Sequence, residues 1–86
     1  MYILGDIGNT DTKIFLVSKK NKILKRINFI SKKISNNQLK ILFKKNKIQI
    51  NKIEKILFCS VVPNTFKIIK NYFSKITKVK CNEVKN

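Results

Sequence analysis

The alternation of apolar and polar residues changes period along this chain, and the changes mark its elements. Tyr2 to Ile7 is a short, mostly apolar run, Gly8-Asn9-Thr10-Asp11 breaks it, and Lys13 to Ser18 (KIFLVS) resumes it. Two β-prone runs joined by a Gly-Asn turn predict a hairpin. After a polar break at 19–22 (KKNK), Ile23 to Ile30 predicts a third strand with Ile23, Lys25, Ile27 and Phe29 on one face. The opening is therefore expected to be a three-stranded meander.

A helical period follows. Ser35 to Gln38 (SNNQ) matches a capping box, in which the serine hydroxyl and the glutamine side chain each satisfy an orphan backbone donor. Ile34 and Leu39 flank the cap where a hydrophobic staple would sit. Leu39, Leu42 and Phe43 form the inward stripe, Lys40, Lys44 and Lys45 face out, and the helix is expected to end near Asn46. Lys55 to Val62 (KILFCSVV) is apolar on both faces, which predicts a parallel strand covered on both sides. Pro63 stops it, Asn64 or Thr65 can cap a second helix, and Phe66, Ile69, Phe73 and Ile76 supply that helix's stripe. A last strand is expected over about Val79 to Val84. The predicted order is β-β-β-α-β-α-β, an α/β fold whose meander continues into parallel crossover strands.

Composition sharpens this picture less than its size suggests. At 86 residues, 43% of them hydrophobic, the chain is expected to form one small domain rather than a disordered tail. The net charge of +16 would attract nucleic acid or anionic lipid. Yet Lys, Asn and Ile make up roughly half the residues, as codons rich in A and T would produce, and Arg26 is the sole arginine where nucleic-acid readers favour that residue. Charge by itself leaves both readings open. Cys59 and Cys81 lack metal-site spacing and there is no His. Cys59, in an apolar run, reads as a small buried hydrophobe, and a disulfide between the two has no support from a secretory signal. No window is long and apolar enough to span a bilayer. The expected location is the cytoplasm.

One stretch departs from the Lys/Ile/Asn background. GDIGNTDTK (residues 5–13) holds both glycines and two of the four acidic residues, Asp6 and Asp11. Gly8 allows a tight turn and close backbone approach. Consecutive N–H groups in such a turn can bind an anion, with Asn9, Thr10 and Thr12 as side-chain donors and Lys13 as a compact cation. Asp6 is a hard oxygen ligand of the kind magnesium takes beside phosphates. The same residues also suit a ligand-free hairpin turn. The stretch is neither a Walker loop nor a G-x-G-x-x-G motif.

A second motif decides between them. Ser60-Val61-Val62-Pro63 ends the apolar strand about fifty residues later, a separation at which loop closure costs little. DIGNT (Asp6 to Thr10), a meander, a helix and then SVVP entering a helix resemble type III pantothenate kinases, of the sugar-kinase, heat-shock-70 and actin superfamily. The resemblance implies a ribonuclease-H-like (actin-like ATPase) lobe. It implies transfer of the ATP γ-phosphate to pantothenate in coenzyme A synthesis, with magnesium and a monovalent cation (potassium or ammonium), in cytoplasmic homodimers. Carried onto this chain, the phosphate-binding segment is Asp6, Ile7, Gly8, Asn9, Thr10, Asp11, Thr12 and Lys13, with Asp6 holding magnesium directly or through water. Ser60 to Pro63 would shape the cleft floor.

The resemblance reaches the N-terminal part of the first lobe, residues 1–86, with the second lobe absent. The family's catalytic aspartate lies in a Gly-x-Asp-Arg motif that does not occur here, and Asp11, Glu54 and Glu83 occupy no matching position, so no catalytic residue is assigned. The chain is therefore expected to be an incomplete lobe: a fragment, a truncated gene product or one piece of a split enzyme. Two alternatives stand beside this reading: a small basic nucleic-acid-binding module, and a non-catalytic remnant of the superfamily fold. The first would need exposed aromatics among the lysines, whereas Phe43, Phe66 and Phe73 fall on core stripes.

Overall fold

The structure, a computed structural model, describes residues 1–84. The meander forms where the alternation predicts it: β1 (Tyr2–Ile7), β2 (Asp11–Val17) and β3 (Ile23–Ile30) pair antiparallel in succession. A 3-10 turn at Ser31–Lys33 leads to α1 (Asn36–Lys45), and another at Ile50–Lys52 leads to β4 (Lys55–Ser60). Then come α2 (Pro63–Ile76) and β5 (Cys81–Val84). β4 runs parallel to β1 and β5 parallel to β4, so the sheet order is β3-β2-β1-β4-β5. The predicted α/β element order is present, and the strand limits shift for local reasons. β4 stops at Ser60 because that side chain accepts the Val62 N–H and donates to the Val62 carbonyl, both at 3.0 Å, taking the backbone out of the ladder. β5 starts at Cys81 because the Thr77 hydroxyl holds the Val79 N–H at 3.1 Å in a turn.

Alternation places Ile3, Gly5 and Ile7 on one face of β1, beside Leu16, Ile14 and Thr12 of β2 and Ile56, Phe58 and Ser60 of β4. Leu39 and Phe43 of α1 and Ile69, Tyr72 and Phe73 of α2 complete one core on that face. Each such side chain contributes about 1.5–3 kcal/mol on burial. Phe43, Phe58 and Phe73 form its centre, with ring centroids 5.5 Å (Phe43–Phe73) and 6.1 Å (Phe58–Phe73) apart. Gly5 is shaped by this packing. It has no positive φ, but a Cβ there would lie 2.0 Å from Cε2 of Phe58, so the glycine is a recess for the ring.

The opposite sheet face differs from expectation. Leu4, Phe15 and Leu57 are aligned across β1, β2 and β4, and among the described residues no helix covers them. β4 is thus covered on one side, not two. Cys59, expected to be buried, is exposed on this open face, and Cys81 is the buried cysteine; both thiols are free.

α1 keeps its predicted limits and its Ser35 cap, whereas α2 starts at Pro63, ahead of both predicted caps. The Ser35 hydroxyl accepts the Gln38 N–H at 3.1 Å, whereas the reciprocal bond from the Gln38 side chain is not made among the described residues. At the far end the N–H groups of Lys47 and Ile48 bond back to Lys44 and Phe43 at 3.1 and 3.0 Å, with Lys47 at φ 55° where glycine is usual. α2 has Val62 as N-cap with no side-chain cap, and Pro63 at its first position. Neither Asn64 nor Thr65 caps it. Its buried stripe is Thr65, Ile69, Tyr72 and Phe73, so Phe66 is half-buried and Ile76 exposed. The β2–β3 register shifts between Leu16 and Val17 of β2, which pair with Lys25 and Ile23, and Ile23 falls out of the inward row of β3 to become exposed.

Candidate functional site

The two sequence motifs meet at one end of the sheet. β1 and β4 are parallel neighbours, so both release their chains at the same edge: Ile7 is level with Ser60, and the Val61 N–H donates to the Ile7 carbonyl at 3.1 Å. Parallel pairing forces this convergence, and in α/β sheets the carboxyl ends of strands are where ligands bind.

The β1–β2 loop, Gly8-Asn9-Thr10, is closed by the Gly8 N–H on the Asp11 carbonyl at 2.9 Å. Gly8 has no positive φ. Its use is the close approach, since a Cβ there would sit 3.0 Å from the Asp11 carbonyl oxygen. Asn9 and Thr10 are exposed at the tip, and their N–H groups have no hydrogen-bond partner among the described residues. Two adjacent free donors at a strand end are what an oxyanion requires.

The eight residues from Asp6 to Lys13 divide by strand alternation. Asp6 and Lys13 are directly opposed across β1 and β2 on the open face, both exposed. They form no ion pair among the described residues, where Lys19–Glu54, at 2.9 Å, is the salt bridge. The Asp6 carboxylate is thus available to a cation. Ile7 and Thr12 point the other way and are both fully buried. The Thr12 hydroxyl is taken up within the protein, so its side chain anchors the loop from beneath. Asp11 is half-buried at the start of β2.

Ser31, which carried no signal in the sequence beyond being a polar residue at a strand end, is the residue that fixes this loop. Its N–H donates to the Thr10 carbonyl at 3.0 Å and its hydroxyl donates to the Gly8 carbonyl at 2.7 Å. That uses its single proton. Thr12 Oγ1, 2.8 Å from Ser31 Oγ, must then be the donor of their shared bond. The relay Thr12 to Ser31 to Gly8 satisfies two buried hydroxyls and a part-buried carbonyl at once, and an unmade bond there would cost about 1–3 kcal/mol.

No group of three or more metal-ligating side chains occurs among the described residues. That is compatible with magnesium, which is commonly held through one or two carboxylates together with substrate phosphates. Of the aromatic rings that could stack on bases, Phe43, Phe58 and Phe73 are buried in the core, and Phe15, half-buried on the open face, lies under Arg26, 6.0 Å from its guanidinium carbon. No helix among the described residues is long and apolar enough to cross a membrane.

The family model for type III pantothenate kinase matches residues 2–86. A type III pantothenate kinase of Pelagibacter ubique (strain HTCC1062) is 47% identical over 85 residues, covering 99% of this chain and 34% of that relative. The chain thus spans about a third of the length of the curated relative it matches. It belongs to the type III pantothenate kinase family.

Proposed function

We propose that this chain is the ATP-phosphate-binding N-terminal part of a pantothenate kinase. One observation carries the proposal: a loop with two N–H groups and a carboxylate unpaired among the described residues, and a lysine, lies hydrogen-bonded beside the SVVP turn at the carboxyl ends of two parallel strands. The family membership supports the choice of ATP and pantothenate over other phosphate donors and acceptors. The strand order, an antiparallel meander extended by parallel strands, supports reading residues 1–86 as the N-terminal part of a ribonuclease-H-like lobe. Cytoplasmic homodimers and a monovalent cation follow from the resemblance, and no ligand for that cation is assigned here.

Each residue's task follows from its placement. Asn9 and Thr10 donate backbone N–H bonds to phosphate oxygens, and Lys13 adds positive charge from β2. Asp6 would hold magnesium, which when bound neutralises phosphate charge. Gly8 and Asp11 close the turn, while Ile7 and Thr12 seat it on the core. In the reaction the primary hydroxyl of pantothenate bonds to the γ-phosphorus, the bond to the β–γ bridging oxygen breaks, and ADP leaves. The hydroxyl proton goes to the Gly-x-Asp-Arg aspartate of the remaining part of the enzyme. This part's share is positioning and charge compensation, which dominate phosphoryl transfer.

Calorimetric titration with Mg·ATP tests the reading. Asp6→Ala and Lys13→Ala should each weaken binding by about ten- to a hundredfold, the worth of one charge-assisted contact. Unchanged affinity in both variants would remove the loop from the ATP site.

A further inference from the structure

Among the described residues β3 is the longest strand, and it lies at the edge of the sheet with no strand paired to its outer side. Its register with β2 fixes which backbone groups point outward. The Gly8 N–H bonds to the Asp11 carbonyl at 2.9 Å and the Ser31 N–H to the Thr10 carbonyl at 3.0 Å, each in register with its ladder. Antiparallel bonding alternates, so Lys25, Ile27 and Phe29 bond to β2, and the N–H and carbonyl groups of Arg26, Asn28 and Ile30 point away from the sheet. Natural edges are usually kept short, covered or interrupted. This one keeps a run of free ladder groups between exposed apolar side chains, Leu24 at 47% and Ile30 at 49%.

The charge along that edge has one sign. Lys20 and Lys22 precede β3, Arg26 is exposed within it, and Lys32 and Lys33 follow it. No acidic residue occurs from Thr12 to Ile53. Asp11 is half-buried on the inner side of Ile30, and Glu54 is bridged to Lys19 at 2.9 Å. An antiparallel second copy of the chain would bring Lys20 and Lys22 against Lys32 and Lys33, so like charges oppose self-pairing. We infer that the outer edge of β3 is a docking site for an extended acidic segment of a partner protein, which adds a strand to the sheet. Main-chain bonds to Arg26, Asn28 and Ile30 hold the segment, its apolar residues pack beside Leu24 and Ile30, and its carboxylates meet Arg26 and the flanking lysines. The inference does not rest on the ATP reading, since β2 separates this edge from β1.

Amide hydrogen exchange of the full 86-residue chain, followed by NMR with the acetylated and amidated peptide EDIVTVEEIE, tests it. In the free chain the amides of Ile27 and Phe29 should exchange slowly and those of Arg26 and Asn28 fast. The peptide should slow Arg26, Asn28 and Ile30 by about tenfold or more, an every-second-residue pattern that charge attraction does not produce. The same peptide N-methylated at its four central residues keeps the charge but cannot form a ladder, and should bind at least about tenfold more weakly. Arg26→Gln should weaken binding by about two- to fivefold, whereas Lys45→Gln, the same change in net charge on α1, should leave it in place. The cationic peptide KKIVTVKKIK should not bind. Absence of any shift at millimolar peptide, or fast exchange of Arg26 and Asn28 when other shifts are saturated, overturns the docking site. Equal affinity of the N-methylated peptide reduces it to attraction by a basic surface and overturns the added strand. Equal binding of KKIVTVKKIK overturns the acidic partner. Slowing of the same amides as the chain alone is concentrated overturns it in favour of a second copy.

Discussion

Leu57 and Phe58 are neighbours in β4 and live in different environments. Phe58 faces the helices, fully buried against Gly5 and Phe73, whereas Leu57 faces the other side, level with Leu4 and Phe15. The covered face is a finished core: its rings interlock, its glycine recess is filled and its polar residues Thr12 and Ser31 are bonded to each other. The open face is nearly as apolar in sequence but has Leu4 36% exposed and Val84 42% exposed. What separates the faces is thus not the composition of the strands. It is whether a further layer lies against them, and the main buried core of this chain lies on the helix side.

The comparison breaks most visibly at its centre. Phe58→Ala should destabilise the chain by about 3–5 kcal/mol, a loss of transfer energy plus a cavity, while Leu57→Ala should cost about 1–2 kcal/mol because its side chain is only half-buried. Urea denaturation of both variants measures the gap. Equal losses would mean that the open face is covered in solution. Gly5→Ala comes next, at about 2–3 kcal/mol, because the added Cβ must displace the Phe58 ring. Combining it with Phe58→Leu should recover part of the loss, and a strictly additive double mutant would refute the recess.

The loop end of the covered face depends on one buried hydroxyl. Ser31→Ala should cost about 1–2 kcal/mol by leaving the Gly8 carbonyl and the Thr12 hydroxyl without their partner. Faster hydrogen exchange at the amide of residue 31 and of its β2 neighbours should accompany it. Exchange rates matching those of the unsubstituted chain would show that the relay does not hold the loop.

How much of this could be read from the residues depends on the range of the interaction involved. The meander, both helices and the order of elements were legible, because alternation, Ser35 and Pro63 act within a few residues. The loop was legible because its chemistry is contiguous from Asp6 to Lys13. The recess at Gly5 was not, since it is set by a ring more than fifty positions away that only parallel pairing brings alongside. Ser31 was missed for the same reason: its partners, Gly8, Thr10 and Thr12, lie across two strands. The two-sided apolarity of KILFCSVV predicted cover on both faces, and among the described residues one face is covered, because a pattern of apolar residues does not itself supply the layer that packs on it. Thr65 was assigned as a cap because caps are local, whereas its place on the buried stripe of α2 depends on how that helix packs.

The cysteines give the mildest test of the two faces, since they report on them without removing any packing. Cys59 is level with Asp6 in the sheet and exposed on the open face. Cys81 is level with Ile56 and faces the helices, where burial pushes its thiol pKa up to about 11 against a smaller opposing effect of Lys70. The thiolate is the reactive form. Iodoacetamide at pH 8 should therefore alkylate Cys59 in the native chain and reach Cys81 only after denaturation, as mass spectrometry of the peptides would show. Modification at Cys59 should shift the urea midpoint by the equivalent of under about 0.5 kcal/mol, as surface changes usually do. The raised value at Cys81 also fixes the sign of a pH effect. The folded state holds that proton more tightly than the unfolded chain, so its contribution is complete below the ordinary thiol range and is lost as the pH climbs towards 11. Cys81→Ala should flatten that part of the stability profile relative to the parent chain. Alkylation of both cysteines at similar rates would show that the two faces are equally accessible.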